Sequence, residues 1–202
     1  MAEPTWFKRL GDVPGVEYAT PSGTRPLKAA AAVPHVAYTS ELGTQSVRWT
    51  LPSGEEGDSP VRERTYSVDF GEFDTAKVLR HLAGTLELPG EPVDYHFALQ
   101  GAISTLWGRR RAEPDVFAEV ERLGLLDVGL IEACPVAAEV GYGREGYLRI
   151  LAFGHLVTIY EREGAWADAL RIATIATRFE QLEDHRDTLA ERVAQLQAEA
   201  PQ

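Results

Sequence analysis

From Asp74 almost to the end of the chain, apolar residues recur at helical spacing, and only helices bury such a pattern on one side. Asp74 is a good N-cap, and the run after it places Val78, Leu79, Leu82 and Leu86 together before Pro89-Gly90. Asp94 is expected to cap a second helix that reaches Trp107, with Ala98, Gly101 and Ala102 allowing a close neighbour. Pro114 fits the first turn of a short helix that Gly124 ends. Asp127 would cap another short helix, stopped by Pro135. Gly141 to Gly146 reads as a connection into a helix over Tyr147–Glu163, and Gly164 separates that helix from Trp166–Leu182. A last helix, about Asp184–Gln197, carries Leu189, Val193 and Leu196 on a single stripe, the pattern of one docking face.

Before Asp74 the chain has another character. Pro, Gly and Ser recur closely, and period-2 runs flank the loop from Pro52 to Pro60. Ser46–Leu51 alternates Val47, Trp49 and Leu51 with polar partners, and Val61–Phe70 ends in Tyr66, Val68 and Phe70. Two such runs around a turn predict a β-hairpin. His35–Tyr38 and Val16–Ala19 are further candidate strands, or residues 1–45 form an arm over the rest. The expected fold is therefore mainly α with a β-containing N-terminal part, an α+β chain. An arm and β-hairpin region spans residues 1–73, and a domain of antiparallel helical hairpins spans 74–202.

Charge narrows the partners. Acids outnumber bases 31 to 20 in 202 residues, giving a net charge of -11, of which -9 falls in residues 112–202. A surface of that sign repels phosphate backbones and anionic headgroups, so neither nucleic acid nor membrane is an expected partner. The longest strongly apolar stretch, Ile150–Tyr160, is interrupted by His155 and Thr158 and falls short of a membrane span. With one cysteine, Cys134, the chain has no intrachain disulfide and no multi-cysteine zinc site. The first residues lack an apolar signal core, so a cytoplasmic location is expected. Arginine outnumbers lysine 17 to 3 and alanine is abundant, as GC-rich bacterial codon usage or a heat-adapted source would produce.

One stretch carries a family signal. In Phe153–Ala176, the residues Phe153, Leu156 and Tyr160 are followed by Gly164, Trp166, Ala169, Ala173 and Ala176. This spacing, over about residues 150–183, resembles a single tetratricopeptide repeat: apolar first helix, glycine turn, aromatic, then small residues where the helices touch. Val157 and the lack of a proline near Gln181 depart from the pattern, and no second copy of this spacing occurs. The resemblance implies an antiparallel hairpin and protein binding on the exposed face of its first helix, with Thr158, Glu161 and Arg162 as contact residues.

Other motifs point to chemistry less strongly. Gly141-Tyr-Gly-Arg-Glu-Gly146 has the G-x-G-x-x-G form, but no βαβ unit surrounds it, so an interhelical loop is expected. The five histidines are His35, His81, His96, His155 and His185, and none sits in H-E-x-x-H or Glu-x-x-His. His155 lies in a helix apolar nearly all round. It reads either as a core histidine with a satisfied ring or, beside Tyr160 and Glu161, as a proton-transfer group. His96, near Asp94, reads as part of a helix start, and Cys134 as a structural thiol. Arg109-Arg110-Arg111 would meet a helix C-terminal dipole or acidic side chains of a partner.

No G-x-S-x-G, S-x-x-K or Walker A sequence is present, and neither cofactor nor metal is expected. The expected function is a non-catalytic bacterial protein-binding module: an adaptor, regulator or inhibitor whose partner is another protein. Two alternatives stand beside it. One is an enzyme or small-molecule binder with a pocket at His155, Tyr160 and the Gly141–Gly146 loop. The other is an acidic, immunity-type inhibitor that presents the C-terminal charge to a basic partner.

Overall fold

In the computed structural model the described residues are 35–39, 45–50, 56–88, 90, 92–139 and 146–199, with side chains from residue 58 onward. Backbone alone gives three short strands, β1 (His35–Thr39), β2 (Gln45–Thr50) and β3 (Glu56–Gly57), paired antiparallel in that order. His35 stands opposite Trp49, and Trp49 opposite Gly57. Val16–Ala19 and the rest of the proposed arm, residues 1–34, lie outside the described residues.

The second half of the expected hairpin is helical. Pro60–Tyr66 forms α1, because Ser59 caps it and Pro60 occupies its first turn. The Ser59 Oγ accepts from the Arg62 N–H at 3.1 Å, and Val61 and Thr65, one turn apart, are both buried. Four-residue spacing of the buried side chains outweighs the β-type alternation of Tyr66, Val68 and Phe70. Phe70–Glu72 then makes one 3-10 turn.

Six more α-helices follow: α2 (Thr75–Leu86), α3 (Pro92–Arg109), α4 (Val116–Ala133), α5 (Leu151–Arg162), α6 (Trp166–Thr177) and α7 (Glu183–Glu199). Asp74 caps α2 as expected, its Oδ1 accepting from the Lys77 N–H at 2.6 Å. From α3 to α7 each helix packs on the next, α3 also touches α5, and α1 and α2 lie on α3. The core runs through this stack, from Val61, Val78 and Leu82 through Leu99, Ile103, Leu123 and Ile131 to Phe153, Leu156, Ile172 and Leu189.

Three residues expected at helix ends do other work, each for a local reason. Gly124 does not end a helix; α4 runs through it for 18 residues. A Cβ at Gly124 would lie 3.1–3.3 Å from the Leu156 side chain, so the glycine marks where α5 approaches rather than where α4 stops. Asp94 and Asp127 do not cap helices either. Both sit inside them and are buried, because each has a bonding partner on a different segment. For Asp94 that partner is Ser59, whose hydroxyl donates to Oδ2 at 2.6 Å and joins the start of α1 to α3.

The hairpin α5–α6 forms around the expected turn, although α5 begins at Leu151 rather than Tyr147 and α6 ends at Thr177 rather than Leu182. Three residues link the helices, Gly164 turns the chain at φ +73°, and Ala169, Ala173 and Ala176 are fully buried at the contact. The turn from α6 to α7 holds Glu180 at φ 57° and Leu182 at φ 63°, both left-handed without being glycine.

Candidate functional site

Helix α5 connects every candidate. Its own N-cap, Ile150, has no polar side chain, so its first N–H groups need acceptors from elsewhere. Gln181, between the two left-handed residues, accepts from the Ile150 N–H at 3.1 Å and donates to the Leu148 carbonyl at 3.1 Å. Gln100, on α3, accepts from the Leu151 N–H at 2.9 Å.

Gln100 then leads into the core. Its Nε2 lies 3.1 Å from His96 Nε2, and His96 Nδ1 lies 2.7 Å from Asp127 Oδ1 on α4. Both members of the His96–Asp127 pair have 0% side-chain exposure. Asp127 Oδ2 has no hydrogen-bond partner among the described residues. Burial pushes the Asp127 carboxyl above its ordinary range, and the neighbouring His96 pulls the other way. The relay is closed to solvent and joins three helices. His96 does lie near the start of α3, but the sequence around it does not reveal the relay. The available signal was a carboxylate midway along the apolar run Leu123–Ile131 and a polar pair, His96 and Gln100, one turn apart beside Leu99 and Ile103.

The expected pocket is arranged differently. His155 is neither a satisfied core histidine nor a group facing Tyr160. It is half-buried and stacks on Trp107 of α3, with ring centroids 4.2 Å apart and planes inclined by 17°. The Arg110 guanidinium lies 4.5 Å from the same indole centroid. Burial, then Arg110 and Arg149, push the His155 imidazole down to about 4, so the ring is neutral at physiological pH. Tyr160 is buried elsewhere along α5. Burial, and then the Glu121 carboxylate, raise its pKa. Of the Gly141–Gly146 loop, only Gly146 is within the described residues.

The three proposed contact residues also separate. Glu161 turns to α7, where His185 Nε2 approaches its Oε1 at 3.1 Å. Thr158 is exposed and donates to the Gly154 carbonyl. Arg162 lies over Phe117 of α4, 4.4 Å from its centroid, and Phe117 meets Trp107 edge-on at 5.8 Å. Thus His155, Thr158 and Arg162, spaced by three and four residues, share one face of α5 with Trp107, Phe117 and Arg110 along its edge. Arg109 is diverted from this face. Its guanidinium donates to the Phe70 and Phe73 carbonyls and approaches Thr75, fastening α3 to the start of α2.

An open apolar groove of about 370 Å³ lies between α6 and α7, lined mainly by Gly164–Asp168, Val193 and Leu196. Leu189 is buried against the stack, so the apolar stripe of α7 is divided between core and groove. Among the described residues no cluster of three or more His, Cys, Asp or Glu side chains could hold a metal ion. No helix of these residues is long and apolar enough to cross a membrane. Compared with models of protein families, with curated proteins and with solved structures, the chain matches none.

Proposed function

We propose that this chain is a non-catalytic protein-binding module, an adaptor or regulator, whose docking face is the outer side of α5 with the aromatic edge of α3 and α4. One observation carries the reading: Trp107, Phe117 and His155 form a contiguous, half-exposed aromatic surface set among Arg110, Arg149 and Arg162 in a chain of net charge -11. Aromatic and arginine side chains dominate binding energy at interfaces, because they offer large contact area and charge that is weakly hydrated. Arg110 and Arg149 have no carboxylate partner among the described residues. The partner is therefore a protein segment that presents a carboxylate beside an apolar side chain. A single helical hairpin suffices as the platform, and the contact set is Arg110, His155, Thr158 and Arg162, with Glu161 occupied by His185.

Comparative affinity purification of the wild-type chain and of Arg110→Glu with Arg162→Glu identifies candidates from host cells. Calorimetry with the purified partner then measures affinity. Loss of at least about 1–3 kcal/mol in the charge-reversed protein is the expected result. Equal affinity, with the fold intact by circular dichroism, would remove this face from consideration.

A further inference from the structure

The buried relay assigns its own protons. The Leu151 backbone N–H can only donate, so the oxygen of the Gln100 amide faces it and the NH2 faces His96. His96 Nε2 must then keep its lone pair, and the single ring proton sits on Nδ1 and is donated to Asp127 Oδ1. An imidazolium would need a second N–H aimed at Gln100. Turning the amide to receive it would set the NH2 against the Leu151 N–H, donor against donor. His96 is therefore neutral and offers Asp127 no compensating charge.

On α4 itself Arg122 pairs with Glu119, and Glu132 pairs with Arg178. On α3, Arg109 turns to the Phe70 and Phe73 carbonyls and Asp94 is bonded to Ser59. On α5, His155 stacks on Trp107, Glu161 pairs with His185, Arg162 covers Phe117, and burial keeps the Tyr160 hydroxyl protonated. The 3-10 turn Pro135–Ala138, also packed on α4, carries no ionisable side chain. A carboxylate at Asp127 would stand uncompensated in the core, with Oδ2 unpartnered.

We propose that Asp127 is held as a neutral carboxylic acid at neutral pH and that, through His96 and Gln100, it forms a proton-dependent lock on the N-terminus of α5. Raising the pH removes the Oδ2 proton to solvent and places a negative charge in the core. The core relieves that charge by opening, and opening costs Leu151 its acceptor. The unfolded chain releases the same proton at about pH 4, whereas the folded chain keeps it. Stability from this group is therefore full below about pH 4 and is lost as pH rises toward the folded pKa. The switch acts on the helix that carries the proposed docking face, but its argument does not depend on that face.

Two measurements on the full chain test the lock. In the wild-type protein, NMR should show the Asp127 side-chain carboxyl carbon without a titration step near pH 4. The His96 ring nitrogens should report the neutral Nδ1–H form at neutral pH. A carboxyl step at about pH 4, or an imidazolium pattern, overturns the proposal. Asp127→Asn keeps the shape and removes the ionisation. If it folds, its melting temperature relative to wild type should climb as the pH is raised from about 4 past neutrality. A constant difference across that range also overturns it.

Discussion

His96 and His155 sit on neighbouring helices and divide the molecule into two electrostatic regimes. His155 stands among Leu151, Phe153, Leu156 and Val157 in sequence, yet its ring is only half-buried, stacks on Trp107 and answers to arginines. His96 follows Asp94 in a polar-looking helix start, yet it has no exposure and answers to a buried carboxyl group. The difference shows that apolar neighbours in sequence do not bury an imidazole. Partners on other helices do, because a buried ring must have its hydrogen bonds supplied.

The largest expected effect comes from breaking the inner regime. His96→Ala removes the only donor to Asp127 Oδ1 among the described residues and leaves a ring-sized cavity in the core, and should cost about 3–5 kcal/mol in chemical denaturation. His155→Ala loses a stacking contact and should cost about 0.5–1.5 kcal/mol. Equal costs would erase the distinction.

Crowding tests the wall between the regimes. Gly124→Ala puts a Cβ against Leu156, whose side chain has little freedom in a filled core, and should cost about 1–3 kcal/mol. A stabilised variant would show that α4 and α5 can separate freely.

Acid sharpens the outer regime. The folded pKa of His155 is lowered, so the stability it supports is intact above about 6.5 and is lost as pH falls toward about 4. The melting temperature of wild type relative to His155→Gln should fall across that interval, modestly, since the ring is half-exposed. Asp127 acts with the opposite sign, so the two single variants should tilt the pH profile in opposite directions. Parallel profiles for both would show that neither group is linked to folding.

The smallest effect lies outside both regions. Glu180→Gly relaxes a left-handed residue at φ 57° and should change stability by no more than about 1 kcal/mol, toward stabilisation, as thermal melting would show.

Local signals were legible where one segment decides its own structure. Asp74 capping α2, Gly164 turning the hairpin, and alanines at the α5–α6 contact all follow from short-range rules. Elements decided by distant partners were not. Asp94, Asp127 and Gly124 carry the residue types of helix ends, yet Asp94 lies in the first turn of α3 without capping it and the other two lie within α4, because Ser59, His96 or Leu156 meets each of them. Val61–Phe70 shows alternation over its second half, while the cap at Ser59 and the burial of Val61 and Thr65 select a helix for Pro60–Tyr66. The candidate face was half visible. Thr158 and Arg162 belong to it, whereas Trp107, Phe117 and Arg110 join from helices whose approach no periodicity encodes.

The borrowed cap of α5 bears on how the hairpin can be moved. The acceptors for the Ile150 and Leu151 N–H groups are supplied from 31 residues downstream and 51 residues upstream. An isolated 12-residue helix with no polar cap of its own is marginal in water, so a peptide covering residues 150–177 should fray at its first turn. Unlike a stackable repeat, this hairpin is not portable. A transplant to another scaffold would have to carry glutamine acceptors with it, and duplication within the chain would leave the copy's first turn without them.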